Sequence, residues 1–340
     1  MSGLSQRGVH PVIESDHPYI FIDSCMQSWP DANYSIAHQH GVTAYGVTTW
    51  MPEHCSLEKA LEDAMFWHYV VRENPGLMVA TTTEDIRQAK AAGRAAFIFA
   101  SQSGNFIADK LHRLEAFYRL GLRIMIPAYN ASNMLSGGCL DAADGGLTSF
   151  GRLVVQECNR LGIVLDGSHV GRKSTMDMMN SSSQPVIFSH SNVKALVDNP
   201  RNIDDEQIRA CVATGGVIGL APYAPFIMKE GMAGNPTLDD FVDHVDYVAD
   251  LSGSSRHIGI GTDMSLGTYS PIVNDPWGMP AYQPAAVHGE SSENPYVEDF
   301  TKYPHVLGLI DKLQTRGYSD QDTANILGEN YLRVFEQVWR

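Results

Sequence analysis

The chain has 340 residues, 44% of them apolar and 19% charged, with 24 basic against 39 acidic side chains for a net charge of −15. A chain this long buries a large core, and barrels of this size are commonly one domain. The acidic balance disfavours nucleic acid and anionic membrane as partners, because phosphate binding needs Lys and Arg, and it is read as solubility.

The opening stretch "MSGLSQRGVHPVIESDHPY" has no apolar core of the kind a secretion signal carries, so none is expected. No uncharged apolar run of about 18 residues follows, so no membrane span is expected. The five cysteines (Cys25, Cys55, Cys139, Cys158, Cys211) are odd in number, scattered and without a CxxC pair. That usage fits a reducing compartment, and the expectation is a soluble cytoplasmic protein.

Short apolar runs then alternate with longer amphipathic ones. The predicted strands are "YIFID" (19–23), "VTAYGVTTW" (42–50), "AAFIFAS" (95–101), "RIMIPAYN" (123–130), "IVLDGSH" (163–169), "PVIFSH" (185–190), "GVIGLAP" (216–222) and "HIGIGTD" (257–263). They are nearly continuous in apolar residues, which suits parallel strands buried on both faces. Between them lie helical patterns such as "SLEKALEDAMFWHYVVREN", "SFGRLVVQECNRLG" and "LDDFVDHVDYVADLSG", several ending in the Gly of a C-cap. The alternation predicts a single (β/α)₈ barrel over 1–340, with an open doubly wound sheet as its rival. Two stretches break the rhythm: the Gly-rich 130–151, and 264–300, rich in Pro and aromatics and carrying Trp277, Tyr282 and Tyr296. A connection as long as the second is read as a lid over the barrel mouth. Closing helices are predicted at 302–339.

Barrel enzymes keep their chemistry at the C-terminal ends of strands. Those ends carry Asp23 to Gln27, Ser101-Gln102, Tyr129-Asn130, Asp166 to His169, Ser189 to Asn192 and Thr262-Asp263. A lone histidine after a strand is ordinarily structural. Two from neighbouring strands at one end, His169 and His190, form a pair that a zinc-like ion takes as ligands. Asp263 either completes that set or serves as general base. His38, His40, His54, His68 and His305 are read as structural or surface residues, and Asp166 as a supporting residue near His169.

The words "DGGLTSFGRLVVQECNRLGIVLDGSHVG", "PVIFSHSN", "NPRNIDDEQIRACVATGGVIG", "HIGIGTD" and "LGENYLRVFEQVW" resemble the renal (membrane) dipeptidase family, peptidase family M19, of the amidohydrolase-like superfamily. They occur in family order from about residue 19 to the end of the chain. The resemblance implies a (β/α)₈ barrel, hydrolysis of dipeptides over two zinc ions, and pairing as a homodimer. His169 and His190 match the family's two histidines, Asp263 its strand-eight aspartate, and Arg201 the arginine that holds a substrate carboxylate. Tyr129 stands at a substrate-contacting position. The family's His-x-Asp pair after strand one is matched by Cys25 and Gln27, and its bridging glutamate by Gln102.

Losing that imidazole and both carboxylates removes most of the negative charge that would hold two divalent ions side by side. The expectation is one zinc, with His169, His190, Gln102 and Cys25 as candidate ligands, Asp263 as the catalytic group, and Arg201 and Tyr129 contacting a small amide or dipeptide-like substrate. Other readings stay open: a non-hydrolytic enzyme using proton abstraction or elimination, or a non-catalytic small-molecule binder. Cys25 is alternatively a small buried apolar residue, and Arg201 alternatively pairs with Asp204 or Asp205 at a helix start.

Overall fold

The computed structural model describes residues 16–28, 32–50, 56–267 and 295–340. Ten strands follow in chain order: β1 (Ile22–Ser28), β2 (Ala44–Trp50), β3 (Leu77–Val79), β4 (Ala95–Ser101), β5 (Leu122–Met125), β6 (Val164–Asp166), β7 (Val186–Ile187), β8 (Ile218–Leu220), β9 (Ile258–Ile260) and β10 (Met264–Leu266). Eight of them run β7-β6-β5-β4-β2-β1-β9-β8 around the sheet, every pair parallel. The ring closes between β7 and β8 at the Phe188–Ile218 bridge, where Phe188 N donates to Val217 O at 3.0 Å and Gly219 N to Phe188 O at 2.6 Å. The chain therefore forms the (β/α)₈ barrel, with helices between the strands.

The helices start where the sequence supplies caps. Thr82 with Asp85, Asp204 with Gln207, Thr237 with Asp240 and Ser319 with Asp322 form capping boxes, each satisfying backbone N–H groups that a first turn leaves unpaired. Gly162 and Gly253 end helices at φ 90° and 71°, a conformation that costs glycine little. Ile22, Ala44, Ala96, Ile98, Ile124, Val164 and Ile187 gather into one buried cluster with Tyr331, Leu332 and Phe335 of the last helix. Tyr331 fills space that side chains at Gly219 and Gly259 would occupy, since a Cβ there would lie 2.3 Å from its hydroxyl and 2.4 Å from its ring.

Three features differ from the sequence reading. β3, a three-residue strand along the first half of β4, was not predicted, because "LMV" is too short to carry a period. The eighth barrel strand stops at Ile260, and Asp263 adopts φ +55°. After it the chain pairs again, as β10 beside the end of β1, so 264–266 belong to the sheet rather than to a loop. Residues 268–294, with Trp277 and Tyr282, lie outside the described residues, as does His54. Among the described residues no helix is long and apolar enough to cross a membrane.

Candidate active site

The ends of β6 and β7 bring the two histidines together. His169 and His190 face each other Nε2 to Nε2 at 2.8 Å, with ring centroids 4.8 Å apart. The other ring nitrogens are occupied. His169 Nδ1 lies 2.7 Å from Asn130 Oδ1 and His190 Nδ1 lies 2.7 Å from Ser189 Oγ. An amide oxygen accepts only, so His169 carries its proton on Nδ1 and turns a bare Nε2 inward. Burial first, and then the Arg201 charge and His190, holds His169 well below the ordinary histidine range. Burial likewise lowers His190, against the opposing pull of Asp263. Both rings are therefore neutral near pH 7, the form that ligates a cation.

Opposite them, β1 and the end of β9 supply sulfur, amide and carboxylate. Cys25, His190 and Asp263 each offer a ligand atom, and these atoms lie within 4.8 Å of one another. Gln27 Nε2 donates to Asp263 Oδ1 at 2.7 Å, and the Cys25 thiol approaches the same oxygen at 3.5 Å. Gln102, at the end of β4, donates from Nε2 to Cys25 Sγ at 3.3 Å and to Thr48 Oγ1 at 3.0 Å. As oriented, Gln102 turns a donor toward the sulfur, whereas the sequence expectation gave it an oxygen for a cation. Burial raises the Cys25 thiol well above its usual range, with the Asp263 and Asp23 charges adding to it. A cation beside the sulfur reverses that bias.

Two buried carboxylates brace these strand ends. Asp166 Oδ1 accepts Ser168 N at 2.9 Å and Ser189 N at 3.0 Å, tying together the segments that carry His169 and His190. Asp23 Oδ1 accepts Thr262 N at 2.7 Å and Cys25 N at 3.2 Å, and its Oδ2 accepts the hydroxyls of Thr262 at 2.7 Å and Tyr303 at 2.8 Å. Burial pushes Asp23 up to about 7 despite those donors. Ser24 Oγ joins the two sides by donating to Ser189 O at 2.6 Å. Asn130, His169 and Asp263 hold φ values of +58°, +65° and +55°, strain of about 1–3 kcal/mol each that the surrounding bonds sustain.

Tyr129 stacks on His169 with centroids 3.9 Å apart, forming a flat wall beside the imidazole. Arg201 is 5% exposed, stacks 5.2 Å over Phe226 and reaches His190 O from Nη2 at 3.3 Å. It lines a 150 Å³ cleft together with His169, Cys139, Ser191 and Asn202. The structural alternative for Arg201 does not hold: Asp204 pairs with Arg172 and Asp205 accepts from Tyr247. Among the described residues no carboxylate lies within 4 Å of Arg201, so a buried guanidinium faces the cleft without a counter-charge.

Sequence reasoning missed the partners rather than the principals. Asn130, Ser189, Thr48 and Tyr296, whose hydroxyl donates to Asp263 O at 3.1 Å, carry no motif of their own. Asn130 and Ser189 did lie at predicted strand ends, and Tyr296 in the stretch read as a lid, the signals that pointed to them. His40 stacks on Tyr303, His68 binds Leu120 O and His305 accepts Thr301 N, all away from the two imidazoles.

A parallel (β/α)₈ barrel with imidazole, thiol and carboxylate donors at the C-terminal mouth has the layout of a metal-dependent barrel hydrolase. The chain belongs to the membrane dipeptidase family, peptidase family M19, whose model matches residues 30–279. It is 34% identical over 232 residues to an uncharacterized dipeptidase of Schizosaccharomyces pombe, covering 68% of this chain and 50% of that protein. It is 29% identical over 286 residues to the dipeptidase verJ of Clonostachys rogersoniana, covering 83% and 66%. The chain thus spans between half and about two thirds of the length of these curated relatives. An amidohydrolase crystal structure from Pseudomonas aeruginosa superposes with a TM-score of 0.84 at 28% identity, covering 96% of this chain and 98% of that one. The family implies a divalent metal, typically zinc.

Proposed function

We propose that the protein is a metal-dependent hydrolase of a small amide or dipeptide-like substrate that ends in a carboxylate, working with one divalent ion, zinc. The observation that carries this reading is the His169–His190 pair. With the outer nitrogens held by Asn130 and Ser189, the two Nε2 atoms meet 2.8 Å apart, where His190 Nε2–H donates to the bare His169 Nε2. Moving that proton to His190 Nδ1, beside Ser189 Oγ, frees both lone pairs for a cation. The donor set fits zinc: the His190 imidazole, the Cys25 sulfur and the Asp263 carboxylate lie within 4.8 Å of one another, and His169 Nε2 adjoins His190 Nε2. A divalent ion held there supplies Lewis acidity toward a carbonyl and toward water.

The chain's own groups divide the remaining work. Gln27 holds one oxygen of Asp263, and the other has no hydrogen-bond partner among the described residues, which suits a general base. Arg201 binds the substrate carboxylate, because its buried charge has no carboxylate partner among the described residues. Tyr129 offers its ring face beside His169, where a flat amide packs. A non-catalytic or non-hydrolytic role is not favoured, since the relatives are named as dipeptidases and all four of His169, His190, Arg201 and Asp263 are present.

Metal analysis of the purified full-length protein, paired with a panel of dipeptides and N-acyl amino acids, tests this reading. The expected result is about one zinc per chain and hydrolysis of at least one panel member, both lost in His169→Ala. Wild-type turnover that survives removal of every metal overturns it.

A further inference from the structure

The amides of Gln27 and Gln102 flank the site in a way that fixes how many ions it takes. Gln27 Nε2 reaches Asp263 Oδ1 at 2.7 Å, and Gln102 Nε2 reaches Cys25 Sγ at 3.3 Å while Thr48 Oγ1 anchors it at 3.0 Å. Each amide thus donates to one of the two side chains that supply negative charge beside a bound cation, and neither brings a charge of its own. A dication, one thiolate and one carboxylate sum to neutrality, and the two histidines add nothing. Cys25 is 3% exposed and His190 fully buried, so an uncompensated charge at this depth is costly. Among the described residues a second dication would have no anion of its own in this cluster, and Arg201, whose Nη2 reaches His190 O at 3.3 Å, has no carboxylate beside it.

We propose that Gln27 and Gln102 are positioning residues that hold Asp263 and Cys25 by N–H donation, making a charge-neutral site for one thiolate-ligated dication and excluding a second. This deepens the metallohydrolase reading and rests on it for the presence of an ion. N–H donation to a coordinated sulfur or carboxylate orients the ligand and disperses its charge, and losing such a partner typically weakens metal binding by about 10–100-fold. Sulfur in the set also favours zinc or cobalt over magnesium, calcium or manganese.

Titration of the metal-stripped, full-length protein with cobalt(II), followed by absorbance, tests the proposal without relying on activity. The wild type should break at one equivalent and develop a near-ultraviolet thiolate-to-cobalt charge-transfer band. Cys25→Ser should still bind one equivalent but lose the band. Gln102→Ala should keep the band, displaced, with binding weaker by about 10–100-fold, and Gln27→Ala should weaken binding similarly. Gln102→Glu, which adds the missing negative charge, should admit a second equivalent. A wild-type break at two equivalents, a wild-type titration without the band, or a Gln102→Ala curve superimposing on wild type each overturns it. The first two need no variant, so misfolding cannot obscure them. Hydrolysis without the band removes only this proposal, while a band without hydrolysis of any substrate removes only the hydrolase reading.

Discussion

The two sides of the barrel mouth share a backbone frame and differ in chemistry. On the β6–β7 side, Asp166 gathers the N–H groups of Ser168 and Ser189 and so aligns two imidazoles. On the β1–β9 side, Asp23 gathers those of Cys25 and Thr262 and so aligns a thiol and a carboxylate. In both cases one buried carboxylate oxygen spans two neighbouring strands. The side chains it presents are nitrogen donors on one side, and sulfur, amide and carboxylate on the other. The frame thus tolerates a change of donors, because it is built from main-chain bonds and not from the groups that meet the ligand.

That contrast can be broken most sharply at Asp263. If the imidazoles and Cys25 hold the ion and Asp263 moves the proton, Asp263→Asn should lower kcat by about 10²–10⁴-fold while much of the metal remains. Metal analysis beside steady-state kinetics reads both, and metal loss as complete as in His169→Ala would erase the division of labour. A smaller effect is expected at Arg201, outside both pairs. Arg201→Met should raise KM for a carboxylate-bearing substrate by about 10–100-fold with kcat nearly kept, the worth of a charged hydrogen bond. An amidated analogue of the same substrate should not feel the substitution, and equal losses on both would refute the anchor.

The smallest effect concerns the frame itself. Asp23 rises from the usual carboxylate range to about 7 on folding, so the folded state binds the proton more tightly than the unfolded one. Its contribution to stability is fully present below the unfolded pKa and is lost as pH rises through about 7. Wild type should therefore lose stability relative to Asp23→Asn by on the order of 1 kcal/mol per pH unit between about pH 5 and 7, then level off. Denaturant unfolding of the two proteins across that range measures the difference. A constant gap would mean that Asp23 stays ionised throughout.

Much of the barrel was legible because parallel strands buried on both faces must be apolar along their whole length. "AAFIFAS" coincides with β4 and "HIGIGTD" contains β9, whereas "YIFID" shares only Ile22 and Asp23 with β1, which runs on to Ser28. Ends were harder. Runs such as "RIMIPAYN" and "PVIFSH" continue past β5 and β7, which end at Met125 and Ile187, since burial extends beyond the strands. The histidine pair was readable from its position after adjacent strands. The donation from Gln102 to both Thr48 and Cys25 was not, because Gln102 lies 54 and 77 residues from them.

The sequence by itself determined the alternation that makes a barrel, the caps that start its helices, and which side chains lie at the strand ends. Those are local matters of period, propensity and backbone satisfaction. Only the tertiary structure decided that Arg201 has no carboxylate beside it among the described residues, that Asp23 and Asp166 each span two strands, and that Gln102 turns its amide hydrogens toward Cys25. Hydrogen bonding and charge compensation depend on distances of a few ångströms between groups remote in the chain, and strand closure sets those distances.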